Sequence, residues 1–93
     1  MRKLANVGLD NYISGSKVLS ISAPTSAPIK KLVKEAKERN MCLDFTCGKK
    51  TESVIFLISG HIVLSIFQPK TLAKRFDGLI SKEDDVSYPT IEE

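Results

Sequence analysis

Two segments, Ser53–Ile58 and Ile62–Phe67, constrain this chain more than anything else in it. They are short, rich in β-branched and aromatic residues, and separated by a Ser59-Gly60 turn signal, so they read as a hairpin. Both carry apolar residues at successive positions instead of alternating with polar ones. A strand of that kind is buried on both faces. A chain of 93 residues has room for one modest core. One long helix can cover one face of a small sheet, and one short helix cannot fully cover the other. The expectation is therefore that the second face of the hairpin meets another copy of the chain. The alternative is that the short helix and the first strands suffice.

The rest of the pattern supplies those covering elements. Leu4 to Leu9 is a short apolar stretch, Asp10-Asn11 is a turn signal, and Tyr12-Ile13 opens a second short strand. Lys17 to Ser22 alternates, which places Leu19 and Ile21 on one face and Ser20 and Ser22 on the other. Ala23 to Pro28 is a loop in which Thr25 or Ser26 can cap a helix and Pro28 suits its first turn. Ile29, Leu32, Val33 and Ala36 then recur at helical spacing, and Asn40 is a left-handed stop. Met41–Thr46 reads as a strand. Gln68-Pro69 opens a short second helix with Leu72, Ala73 and Phe76 inward, ended by Gly78. The fold class is α+β: small antiparallel sheets with one long amphipathic helix and a short C-terminal helix. Residues 1–78 form one domain, and 79–93 form an acidic, Pro-containing tail without periodicity, read as mobile.

Several function classes have no support in these residues. His61 is the only histidine and Cys42 and Cys47 the only cysteines, too few and poorly spaced for a zinc site. Both cysteines read as small apolar residues in or beside a strand. Asp10 and Asp44 are lone carboxylates without a partner for acid–base work. His61 reads as a turn or strand residue. Gly48-Lys49-Lys50-Thr51 resembles the end of a phosphate loop, but the upstream glycine is missing and a strand follows. No enzyme activity, cofactor, metal or small-molecule substrate is expected. No apolar run reaches membrane-spanning or signal-peptide length, so a cytoplasmic protein without a membrane partner is expected.

Charge points elsewhere. Residues 1–76 hold 13 Lys/Arg against 5 Asp/Glu, whereas residues 77–93 hold 1 against 6. The net +3 hides a basic body and an acidic end, a pattern that suits anionic partners. Lys49 and Lys50 sit just after Gly48 between two strands, where a loop can hold paired charge clear of the fold. Lys17 opens a strand after Ser14-Gly15-Ser16. Lys30 and Lys31, with Lys34 and Lys37, line the polar face of the long helix. The bland reading of that face is a set of i,i+4 pairs, Lys31 with Glu35, Lys34 with Glu38 and Glu35 with Arg39. Phe45, Phe56, Phe67 and Phe76 fall at inward positions and there is no Trp. A stacking mode on single strands is therefore disfavoured against backbone contact with duplex DNA.

These motifs taken together resemble a known family. Asn6-Val7-Gly8, the run Ser22 to Lys31, the run Asp44 to Thr51, His61 to Ser65 and Gln68-Pro69 are similar in order and spacing to the RemA family of bacterial extracellular-matrix regulators, over about residues 4–76. The resemblance implies a DNA-binding transcription regulator, associated with the nucleoid, that forms ring-shaped homo-oligomers around which DNA wraps. It also implies a fold similar to LytTR-type DNA-binding domains. DNA contact in the family uses basic residues at the positions of Lys17, Lys49 and Lys50, with Lys30 and Lys31 as additional phosphate contacts in our reading. The family carries arginine at the first three. Lysine keeps the charge and loses the planar fork, which suits phosphate contact better than bidentate reading of bases. The competing readings are an oligomeric protein-interaction scaffold without nucleic-acid binding and an RNA-binding protein.

Overall fold

A computed structural model of the chain describes residues 4–77. The Gly78 helix stop and the acidic segment 79–93 lie outside the described residues. In chain order the elements are β1 (Leu4–Asn6), β2 (Tyr12–Ser14), a 3-10 turn (Gly15–Lys17), β3 (Val18–Ser22), α1 (Ala27–Glu38), β4 (Cys42–Asp44), β5 (Ser53–Leu57), β6 (Ile62–Ser65) and α2 (Pro69–Asp77). The class is α+β, as the pattern predicts.

Strands β3, β5, β6 and β4 form one sheet in that order, and β1 pairs with β2 in a separate two-stranded ribbon. β5 and β6 are the central hairpin, with Val54 opposite Leu64 and Ile55 opposite Val63. One pairing departs from the expected antiparallel arrangement: β4 runs parallel to β6. The cause is the connection through α1. The helix carries the chain back along the sheet from the end of β3, so the next strand starts at the same end as β3 did.

α1 begins where its residues allow. Ser26 caps it by accepting from the Ile29 amide at 3.4 Å, and Pro28 lies in the first turn. It stops at Asn40, whose φ of 59° is left-handed. The Met41 amide then bonds the Ala36 carbonyl at 2.8 Å and the Asn40 amide the Lys37 carbonyl at 3.2 Å, closing the last turn.

Each face of the hairpin has its own core. On one face Val54, Ile62 and Leu64 pack with Ala36, Ile29 and Val33 of α1. On the other, Ile55 and Val63 pack with Val7 and with Leu72 of α2, flanked by Ile13, Ile21 and Phe76. Val7, Val54, Ile55, Val63 and Leu72 have no exposed surface, and each such side chain contributes about 1.5–3 kcal/mol by leaving water. The ribbon and α2 together thus cover the second face within a single chain. The two-faced hairpin does not by itself call for a partner copy. Ser65 locks the ribbon down, its Oγ donating to the Val7 carbonyl at 2.5 Å. Arg75 lies 4.4 Å from the centre of the Phe67 ring, and Ala73, expected inward, is exposed on α2.

Candidate nucleic-acid interface

The β4–β5 connection is built by its own side chains. At the end of β4, Asp44 Oδ1 accepts from the Thr46 amide at 2.9 Å and from Thr46 Oγ1 at 2.6 Å. Those bonds hold the Asp44 carboxyl below its usual pKa, the hydroxyl bond first and the amide bond next. Thr46 is buried, and its carbonyl accepts from the Lys49 amide at 3.0 Å. Between them Cys47 and Gly48 have φ of 52° and 82°, the φ signature of a type I′ turn. Glycine takes that conformation freely; Cys47 does so as a non-glycine residue. A Cβ at Gly48 would meet nothing within 4 Å. The turn therefore projects from the body, and Lys49 and Lys50 leave it exposed.

Cys47 is exposed at the tip, contrary to the apolar role expected of it. Cys42 fits that role: it packs against the buried cluster of Ala36, Val54, Ile62 and Leu64, and burial is the main reason its thiol pKa is raised.

The candidate lysines do not form one cluster. The Lys17 carbonyl accepts from the Ile58 amide at 2.8 Å, which puts Lys17 at the far end of β5. The Glu52 amide, next to the lysine pair, bonds the Ser65 carbonyl at the near end. Six steps of extended chain separate Glu52 from Ile58, about 20 Å. Lys30 and Lys31 fall on the near side, because β3 ends opposite Val54 and α1 starts a few residues later. The first turn of α1 carries no acidic residue. Lys30 closes that turn, where the helix dipole favours carboxylates, and Lys31 follows it, so the two concentrate positive potential at this end of the sheet.

Ion pairing is sparse among the described residues. None of the three i,i+4 pairs expected on α1 is closed within 4.0 Å. The pair that is closed joins Lys50 Nζ to Glu52 Oε2 at 4.0 Å. No group of three or more His, Cys, Asp or Glu is arranged to hold a metal among these residues, and no described helix is long and apolar enough to cross a membrane. His61 Nδ1 lies 2.8 Å from Ser59 Oγ within the hairpin turn.

A second surface was not foreseen. The pairing of β3 with β5 shifts register between Val18 and Ser20, a β-bulge. It turns Leu19 away from Val18 and Ile21 and onto the α1 side. There Leu19 is 70% exposed and borders a groove of about 250 Å³ with Leu32, Met41 and Phe56. Leu32, placed inward by helical spacing, sits at the rim.

Comparison with known proteins bears on these residues as a set. The family described as extracellular matrix regulatory protein A-like matches residues 4–76. The chain is 46% identical over 82 residues to a protein of Halalkalibacterium halodurans, covering 88% of this chain and 91% of that one. It is 50% identical over 74 residues to one of Acaryochloris marina, covering 80% and 84%. A protein of Clostridium novyi is 40% identical over 91 residues, 98% of this chain and 97% of its own. All three carry the name "putative regulatory protein".

Proposed function

Because the chain belongs to the extracellular matrix regulatory protein A-like family of regulatory proteins, we propose that it is a DNA-binding transcriptional regulator, without catalytic activity, that works as a ring-shaped homo-oligomer on duplex DNA. The observation that carries this reading is the projecting Thr46–Lys49 turn. It is pinned at its base by Asp44 and Thr46, and it presents Lys49 and Lys50 to solvent at the end of the sheet where Lys30 and Lys31 also lie. A cation held on a pre-formed turn meets a phosphate with little further ordering.

Lys17, about 20 Å away along β5, takes a different phosphate from the pair. One subunit offers few such contacts. A ring repeats them around one DNA molecule, where effective concentration converts weak sites into firm binding. The apolar groove at Leu19 and Leu32 supports self-association. The same groove supports the second reading, a scaffold that binds other proteins through that surface.

The test combines light scattering with duplex binding. A particle of several times 10.3 kDa that binds mixed-sequence duplex in a salt-dependent way, and binds single-stranded RNA more weakly, is expected. A monomer would remove the ring. An oligomer with no affinity for duplex at low salt would favour the scaffold.

A further inference from the structure

Lys49 and Lys50 are adjacent in sequence and differ in their surroundings. Among the described residues, Lys49 has no carboxylate within 4.0 Å, whereas Lys50 Nζ lies 4.0 Å from Glu52 Oε2. Glu52 is a positioned residue. Its amide bonds the Ser65 carbonyl at 2.8 Å, which continues the β5–β6 ladder, and its Oε1 accepts from Gln68 Nε2 at 3.4 Å. The Glu52 side chain is 30% exposed and that of Lys50 84%. The carboxylate is thus the fixed member of the pair and the lysine the movable one. Exposed pairs of this kind add little to folding. The effect of this one falls on whatever anion Lys50 meets.

We propose that Glu52 is a built-in competitor for the phosphate at Lys50, so that the loop binds duplex DNA more weakly, and with a shallower salt dependence, than its two lysines alone would allow. The inference rests on the duplex-binding reading above. A phosphate that engages Lys50 must draw the ammonium away from Glu52, and the carboxylate stays behind because the strand and Gln68 hold it. The exchange also alters the ion balance. Neutralising a phosphate releases condensed cations from DNA. A carboxylate stripped of its lysine takes part of that positive charge back from solution. Each engaged subunit therefore releases fewer ions than an unpaired lysine would. Lys49 carries no such restraint and makes the stronger contact of the two.

Glu52→Gln tests this with little change of shape, since the amide oxygen can still accept from Gln68. Binding of the full chain to one mixed-sequence duplex is measured across a salt series for wild type, Glu52→Gln, Lys50→Ala and the double variant. Glu52→Gln should bind about fivefold more tightly at low salt, which is one charge–charge interaction at 4 Å in water. Its log–log salt slope should steepen by less than the roughly 0.9 that one phosphate contact releases, since a lone carboxylate takes up only a fraction of a cation. The gain should shrink in the Lys50→Ala background. Wild type that binds with the same affinity and slope as Glu52→Gln would overturn the inference and leave the DNA reading intact. An equal gain with and without Lys50 would also overturn it, since Glu52 would then act only through net charge. Absence of duplex binding by wild type and variants alike would remove the DNA reading and the inference with it.

Discussion

Gly8-Leu9-Asp10-Asn11 and Thr46-Cys47-Gly48-Lys49 reverse the chain in the same way. Each has two central residues with positive φ, 53° and 63° in the first and 52° and 82° in the second. Each is closed by an amide-to-carbonyl bond of 3.0 Å, Asn11 to Gly8 and Lys49 to Thr46. Each is entered from an Asx side chain that accepts the amide two residues on, Asn6 for Gly8 at 2.7 Å and Asp44 for Thr46 at 2.9 Å. Both start on a buried residue, Gly8 and Thr46, and both expose their central pair. They differ in what flanks that pair. Before the first, the chain is held against the core: a Cβ on Gly8 would lie 3.0 Å from Ile66 Cγ1, and Val7 beside it accepts from Ser65. After the second come two exposed lysines. The same backbone device serves the core at one place and presents charge at the other.

Stability measurements should separate the two glycines, and the largest effect belongs to Gly8. Gly8 has φ of 124°, which side-chain-bearing residues rarely adopt, and Ile66 would have to give way. Gly8→Ala should cost about 3 kcal/mol, strain and crowding combined, read as a lower denaturant midpoint at unchanged m. A cost equal to that of Gly48→Ala would show that the packing does not matter.

Next is Ser65→Ala, which takes the donor from the Val7 carbonyl and the acceptor from the Phe67 amide. About 2 kcal/mol is expected, the cost of stranding buried backbone groups. Hydrogen exchange should show β1 and β2 opening first. Gly48→Ala meets no atoms and keeps only the φ penalty, about 1 kcal/mol.

The smallest effect is that of Asp44. Its folded pKa is lowered by the Thr46 bonds. A carboxylate of that kind contributes stability above its unfolded pKa and loses it as pH falls through the lower folded value. Wild type should therefore exceed Asp44→Asn at neutral pH, and the difference should fade on acidification below about 3.8, the unperturbed value. A difference independent of pH would mean that the charge on Asp44 plays no part.

Much of this architecture is legible in the residues because local chemistry decides it. The cap at Ser26, the stop at Asn40 and the hairpin at Ser59-Gly60 are statements about a few neighbouring atoms, and the structure places them as the pattern predicts. What periodicity could not give is non-local. The alternation of Lys17 to Ser22 puts Leu19 with Ile21, and a bulge against β5 reverses Leu19 without any local signal. Nothing in the apolar pattern marks Ser53 and Ser65 for the core, yet both are fully buried and bonded to the Phe67 and Val7 carbonyls. The lysine turn was visible from Gly48 and the adjacent pair. The separation of Lys17 from that pair was not, because it depends on which end of β5 each segment meets.

The central claim is that the open turn exists to present charge to a phosphate backbone. The direct measurement is duplex affinity across a salt series for Lys49→Ala combined with Lys50→Ala, beside the double Lys→Arg variant, with oligomer size checked for each. The alanine variant should keep its size and midpoint, bind every duplex sequence more weakly, and lose about 0.9 from the log–log slope for each phosphate contact removed, summed over engaged subunits. The arginine variant should bind at least as well as wild type, since charge is kept and the fork adds a second hydrogen bond. An alanine variant with wild-type affinity and slope would contradict the account: the turn would be a solvated reversal, and the groove at Leu19 the surface to pursue.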